Sequence, residues 1–341
     1  MLVEPQDLTA EDVLRLVQEH WEGKARNGAF VPRGAGAHHW VCGGPRQPHW
    51  FVTADDVTAR GRLEELEAAY AVARRLAHKG LHFVVPTVAP ANGGVGVRHG
   101  RYLVTVTAYL EGESGPGAYA DDNQRALIAH EIGLLHAARP PRRAPVWEPT
   151  LPCRAELEQL LETVDGGPWE SGPFGESVRV ALRDNRTHIL RLLARLDVLT
   201  AQALARREGW VLTHGEPHTA NVLWQLGGPV LVDWESLRLA PRERDLRVVL
   251  RDADGAEPLS AYVASGGTVD LDADMVELFD LQWWLTETAL YAVQFASPHV
   301  GDADDARFHE AFLAEVVPAV AASPTRRRHR TRGHGDRGDA R

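Results

Sequence analysis

Lysine is nearly missing from this chain. Of 37 basic residues in 341, only Lys24 and Lys79 are lysines. Any chemistry that needs a lysine must draw on those two positions; every other fixed cation is an arginine. Cysteine is equally scarce. Cys42 and Cys153 lie far apart in sequence, which excludes a disulfide framework and fits a reducing compartment, so a cytoplasmic location is expected. No apolar run approaches the roughly 20 residues that span a bilayer, so no membrane segment is expected. The stretch Met1–Asp7 lacks a basic region followed by an apolar core, and no secretory signal is expected from it.

Negative charge is abundant but uneven. The formal net charge is −10. From Ser323 onward stand Arg326, Arg327, Arg328, Arg330, Arg332, Arg337 and Arg341 against Asp336 and Asp339. Without that stretch, the 37 basic and 47 acidic residues fall to 30 and 45. An acidic body argues against a nucleic-acid surface and suits a cationic small substrate, although solubility alone also favours such a charge. The stretch 323–341 carries no large apolar residue to bury and is expected to be a disordered basic tail.

The densest chemistry lies in His214-Gly215-Glu216-Pro217-His218-Thr219-Ala220-Asn221, with Asp233 twelve residues beyond. Phosphoryl transfer needs one group to position an attacking hydroxyl and oxygen ligands for the metal on the nucleotide. Glu216 and Asn221 are five apart, the separation of Asp and Asn in the kinase catalytic loop. Asp233 follows Val230-Leu231-Val232, an apolar run that reads as a buried strand. A strand end holds a metal-binding carboxylate rigidly.

This pattern resembles the aminoglycoside phosphotransferase family, a kinase-like group that includes choline kinases. The family string is His-Gly-Asp-x-His-x-x-Asn, then a strand ending in Asp. The resemblance runs on through Asp233-Trp234-Glu235 and Leu239-Ala240-Pro241-Arg242-Glu243-Arg244-Asp245-Leu246. That second string is most similar to the spectinomycin phosphotransferase branch. The resemblance implies an α+β, protein-kinase-like, two-lobe fold. Its lobes would be a small mainly-β nucleotide-binding lobe over 1–108 and a larger helical catalytic and substrate-binding lobe over 109–322. It implies Glu216 as base, Asn221 and Asp233 as magnesium ligands, and His214, His218 and Asp245 as structural supports of the loop.

Elsewhere the chain follows the same order of elements. Thr9 opens a helix, with Asp12 completing a pattern near a capping box. In Val31 to Trp40, Gly34 and Gly36 fall where the family covers the nucleotide phosphates; alone they would read as a turn. Pro45 to Pro48 reads as a hairpin turn into the strand Trp50-Phe51-Val52-Thr53. Leu63 to Leu76 is amphipathic and helical. It carries Glu67 where the family has its nucleotide-facing glutamate, with Glu64 and Glu65 as competitors and solvent exposure as the plain alternative. Tyr102 to Tyr109 reads as a strand, and Tyr109-Leu110-Glu111-Gly112 resembles the hinge that offers backbone groups to a purine. Helical patterns follow over 124–137, 174–207, 243–252, 275–294 and 304–321, with a proline-rich loop over 139–152.

Two departures matter. The family's third-strand lysine falls at Thr53, and neither Lys24 nor Lys79 lies on that strand. Arg33, beside Gly34, is the first replacement, because its planar fork matches phosphate oxygens. His38, His39 and Arg60 are further candidates. The second departure is Glu216 in place of Asp, which keeps the charge and moves it by about 1 Å, a displacement able to cost ~10²-fold unless the loop absorbs it.

The resulting expectation is an alcohol-group phosphotransferase using magnesium and ATP or GTP, monomeric or dimeric. The acceptor expected is a small molecule: an aminoglycoside or aminocyclitol antibiotic first, a nucleoside antibiotic or an amino alcohol next. Asp280, Trp283, Trp284 and Glu287 share a helix that could wall the acceptor site, though core packing explains the aromatics as well. The contrasting expectation is a kinase-like binding protein that lost catalysis with its strand lysine.

Overall fold

A computed structural model describes residues 1–323 except Glu22, Ala35, Pro45, Arg46 and Arg60. Arg60, part of the Pro45–Pro48 turn and nearly all of the basic tail therefore lie outside the described residues. The fold is a mixed α+β one, with an antiparallel sheet near the N-terminus and mainly helices after it.

Helix α1 (Ala10–His20) is opened by a complete capping box between Thr9 and Asp12. Its apolar side, Val13, Leu16 and Val17, is buried. Strands β1 (Asn27–Val31), β2 (Ala37–Gly43), β3 (Pro48–Asp56), β4 (Val97–His99) and β5 (Tyr102–Ala108) form one antiparallel sheet in the order β1-β2-β3-β5-β4. Alternation along β3 sorts its side chains by face. Val52 and Ala54 enter the core with α1, Trp40 and Val104. Phe51, Thr53 and Asp55 therefore take the other face. There His39 stacks on Phe51 and its Nδ1 lies 3.2 Å from the Thr53 hydroxyl.

Helix α2 (Arg62–His78) packs its Leu66, Ala69, Tyr70, Ala73 and Leu76 into a second core. That core continues through α3 (Asp122–Ala137) and the short strands β6 (Val211–Thr213), β7 (Val222–Gln225) and β8 (Gly228–Leu231). It ends on α6 (Glu243–Val249) and α7 (Glu257–Ala264). Strand β9 (Arg238–Ala240) pairs with β6, and β7 pairs with β8.

Two compact units are distinguishable. The first comprises 1–150, 199–280 and 300–307, and holds everything described so far. The second comprises 151–198, 281–299 and 308 onward. Its core is built from Leu157 and Leu161 of α4 (Arg154–Thr163), Val178, Leu182, Leu192 and Leu196 of α5 (Gly175–Leu204), and Leu285, Ala289 and Phe295 of α8 (Ala273–Ala296).

The helix expected over 304–321 is three pieces: α9 (Ala303–Ala311), a π-turn over Phe312–Val316, and α10 (Val317–Ala322). Pro318 has no N–H to give the preceding turn, which accounts for the irregular winding. Helices α4 and α7 were not expected. Each is short, and α7 carries Pro258 in its first turn.

Candidate active site

The catalytic string forms a tight loop between β6 and β7, ending in a single 3-10 turn over Thr219–Asn221. Gly215 has φ +103, a left-handed backbone, and a Cβ there would collide with the Arg244 guanidinium. Arg244 lies beneath the loop, donating to Thr213 Oγ1 and to the Ser236 carbonyl at 2.9 Å each. Burial pushes its pKa down to about 10, still far above neutrality, so it stays charged.

Asp245, at the start of α6, holds the loop from behind. Its carboxylate accepts the backbone N–H of His214 at 2.8 Å and of Gly215 at 2.6 Å. Its Oδ2 also lies 3.1 Å from His136 Nε2, and His136 Nδ1 lies 2.9 Å from the Tyr262 hydroxyl. Burial alone would push this carboxyl up, but His136, Arg244 and His214 outweigh it and hold it below the ordinary range.

His214 is fully buried, and its Nε2 donates to the Val232 carbonyl at 2.9 Å. Its Nδ1 is then the acceptor for the Glu216 backbone N–H at 3.3 Å. Burial lowers its pKa, which agrees with this neutral tautomer. Val232 is used on both sides, because its own N–H donates to the Asn221 carbonyl at 3.0 Å. The residue before Asp233 is thus docked to both ends of the catalytic loop.

Glu216, Asn221 and Asp233 are brought together by these bonds. The Asn221 side-chain amide donates to the Glu216 carbonyl at 3.1 Å, which leaves its oxygen as the free acceptor. His218 Nε2 lies 3.8 Å from Glu216 Oε2. Burial pushes Glu216 up, but His218, Arg244 and His214 pull it further down, so it is held below the ordinary carboxyl range. Asp233 is solvent-exposed and takes a left-handed backbone, φ 69, rare for a residue with a side chain. Beside it, Glu235 Oε2 is buried with no hydrogen-bond partner. Burial first, then the charge of Asp233, raise Glu235 well above the usual carboxyl value.

Among the described residues no three His, Cys, Asp or Glu side chains converge on a metal point. The donor set is nevertheless all oxygen: the Asn221 amide oxygen, the Asp233 carboxylate and the orphaned Glu235 oxygen. That chemistry fits a hard divalent ion whose remaining ligands come from nucleotide phosphates and water.

The nucleotide candidates are distributed around the sheet and the hinge. Gly34 and Gly36 both have left-handed φ, 77 and 83, in the β1–β2 loop. Arg33 in that loop donates to Ser114 Oγ at 2.7 Å, tying the loop to the segment after the hinge. His38 is half-buried, and its pKa is lowered by burial. His39 is pushed to about 4 by burial and is neutral at physiological pH. The Tyr109 N–H donates to the His49 carbonyl at 2.8 Å, so what Tyr109 offers a base is its carbonyl, followed by the Leu110 peptide. The segment after Tyr109 is also joined to the loop of Glu216 and to β7. Glu113 and Trp224 exchange backbone bonds of 3.4 and 2.9 Å, and the Tyr119 hydroxyl donates to the Pro217 carbonyl.

Helix α2 leaves Glu67 exposed, whereas Glu65 accepts from Arg238 at 3.0 Å. Asp280, offered as an acceptor-binding carboxylate, is already engaged by Arg247 at 3.1 Å and by Arg251. Trp283, Trp284 and Glu287 belong to the part of α8 in the second unit, all half-buried. Sequence reasoning missed the bond between Tyr70 of α2 and Asp55 of β3, and the place of Arg244 under Gly215. Arg244 was visible in the string before Asp245, but nothing in its spacing reveals what it touches.

Comparison with known proteins decides the family. The model of the phosphotransferase enzyme family, abbreviated APH, matches residues 30–279. The chain belongs to this family. It is a phosphotransferase with an alcohol group as acceptor. Among known relatives, Protein StrN of Streptomyces griseus is 27% identical over 318 residues, covering 89% of this chain and 93% of StrN. A spectinomycin phosphotransferase solved with ADP and spectinomycin superposes with a TM-score of 0.75 at 14% identity, covering 94% of this chain and all of that one. An amicoumacin kinase solved with AMP-PNP, calcium and its antibiotic gives 0.54 at 15% identity, covering 94% and 95%. These two likenesses establish the kinase-like fold that the phosphotransferase shares with them.

Proposed function

We propose that this phosphotransferase moves the terminal phosphoryl group of ATP or GTP to a hydroxyl of a small antibiotic, an aminocyclitol or aminoglycoside first. The observation that supports this is the clamped loop, in which the Asn221 amide donates to the Glu216 carbonyl and the Val232 N–H to the Asn221 carbonyl. Glu216 orients the acceptor hydroxyl and takes its proton as the bond to phosphorus forms. Asn221 and Asp233 would hold magnesium, which would supply positive charge against the phosphates. Arg33, Gly34 and Gly36 cover the phosphates, and Tyr109 and Leu110 face the base. Residues 1–108 act as the nucleotide lobe and 109–322 as the catalytic lobe. The spectinomycin and amicoumacin complexes of proteins sharing this fold support the antibiotic class. Among the described residues no helix is long and apolar enough to cross a membrane, and a cytoplasmic site of action is part of the proposal.

The test is nucleotide consumption across an antibiotic panel with ATP and GTP, with product mass measured. Asp233→Asn is the control and should abolish turnover while the protein stays folded, because losing a metal ligand removes several kcal/mol of transition-state stabilisation. Near-normal phosphorylation by the folded variant would exclude the metal role. A second reading, a catalytically weakened kinase-like binder, is favoured by one observation: Thr53 lies on β3 where the resemblance puts a lysine. Antibiotic binding without nucleotide consumption would select it.

A further inference from the structure

Two helices of the first unit end at the same place. Arg75 and Lys79 close α2, and Arg139-Pro140-Pro141-Arg142-Arg143 follows the end of α3. Together they line a cavity of about 520 Å³; among the described residues, its lining is five cations and two prolines. All five cationic residues are exposed. Among the described residues none of their side chains bonds to another residue. This is unexpected in a body with 45 acidic residues against 30 basic ones before residue 323.

Helix dipoles explain part of the cluster. Cations beside a helix C-terminus complement its partial negative charge, which covers Arg75, Lys79 and Arg139. Arg142 and Arg143 belong to no helix, and no dipole calls for them. Their turn is also fixed. Ala144 N–H donates to the Pro141 carbonyl at 3.0 Å, and β9 grips the next residues through Leu239 N–H to Pro145 O at 2.7 Å and Trp147 N–H to Leu239 O at 2.9 Å. The two prolines stiffen the turn further. Guanidinium groups carried on such a turn match phosphate oxygens in forked pairs.

We propose that this cavity is a binding site for a short oligophosphate, separate from the reaction centre. One phosphate would use two or three of the cations; five call for several phosphates in a row. The lining has no aromatic ring, so recognition goes to phosphate and not to a base. The acidic body repels a long polyanion, which favours a short ligand over nucleic acid.

The experiment is calorimetric titration of the full chain, saturated with ADP in magnesium-free buffer, using tripolyphosphate as the probe. The triple variant Arg139→Ala, Arg142→Ala, Arg143→Ala should bind roughly 10- to 100-fold more weakly. The matching triple lysine variant should retain most of the affinity, and added salt should weaken the parent steeply. Asp233→Asn should bind the probe like the parent, which separates this site from the nucleotide site whatever the fate of the proposed activity. No heat with the parent, or equal affinity in the folded triple alanine variant, as binding through 324–341 would give, overturns the proposal. So does binding of an RNA oligomer in preference to tripolyphosphate.

Discussion

The Tyr70 hydroxyl donates to Asp55 Oδ2 across 3.0 Å, joining helix α2 to strand β3 on the sheet face away from α1. Kinase-like enzymes join these elements by a lysine and a glutamate. Here the strand supplies an acid and the helix a phenol, so the pair carries at most one negative charge and contributes no cation to a nucleotide.

This pair sets a pH dependence. Burial, aided by the charge of Asp233 and opposed by Arg62 and Tyr70, raises Asp55 from 3.8 to about 6. A carboxyl raised on folding favours the folded state fully below its unfolded value, and that contribution is lost as pH rises through about 6. Above that, the buried charge costs ~3 kcal/mol at 1.36 kcal/mol per pKa unit. Asp55→Asn keeps an acceptor for Tyr70 and removes the charge. Its melting temperature without ligands should exceed the parent's at pH 8 and converge on it by pH 4. Equal melting at pH 8 would show that Asp55 carries no such burden.

Gly215→Ala should damage both fold and rate. The left-handed backbone costs ~1–2 kcal/mol for a residue with a Cβ, and the Arg244 guanidinium occupies the space. Adding Arg244→Ala relieves the collision but not the backbone strain. Denaturant unfolding of the two single variants and the double variant should therefore show coupling, with the double less destabilised than the sum. Strict additivity would mean the two residues do not press on each other.

Asp245→Asn replaces an acceptor of two backbone N–H groups and one histidine. One amide oxygen cannot serve all three, and each orphaned buried donor costs ~1–3 kcal/mol. Because Asp245 is held below the usual carboxyl range, its stabilisation is present above the unfolded value. It is lost as pH falls through the lower folded value. Acid unfolding of the parent should carry that contribution, and the variant should lack it. Rates should fall in the variant even where it is fully folded, because His214 and Gly215 are no longer fixed.

Glu216→Gln should slow turnover by roughly 10²–10⁴-fold with nucleotide affinity little changed, as for loss of a general base. Glu216→Asp should keep more activity than Gln. Since Glu216 is held below its ordinary value of 4.5, the acid limb of the rate profile should lie below that pH. A Gln variant as fast as the parent would remove Glu216 from the chemistry.

What the sequence revealed was chemistry at fixed spacing. Glu216, Asn221 and Asp233 are legible because their distances along one loop and one strand restrict where they can go. The strands around Trp50 and Tyr102 were legible from the turn before the first and the β-branched residues of the second; β3 runs Pro48–Asp56 and β5 Tyr102–Ala108, so their ends differ by one to three residues. The Tyr70–Asp55 bond and Arg244 under Gly215 were not legible. Each depends on how closely two separate elements approach, and nothing in the local pattern of α2 marks Tyr70 as facing the sheet. The same holds for α2's glutamates, where about half a turn of helix decides between Glu65 and Glu67.

The catalytic loop is gripped by Asp245, the Val232 carbonyl and Arg244 beneath it, with Tyr119 on the Pro217 carbonyl. All of these act on backbone or on the loop's own support, and none is among the residues offered for acceptor recognition. Such a division lets heredity treat the two tasks separately. Substitutions where acceptors dock can accumulate without moving the phosphoryl-transfer groups, so descendants of one chain can take new acceptors while keeping one reaction.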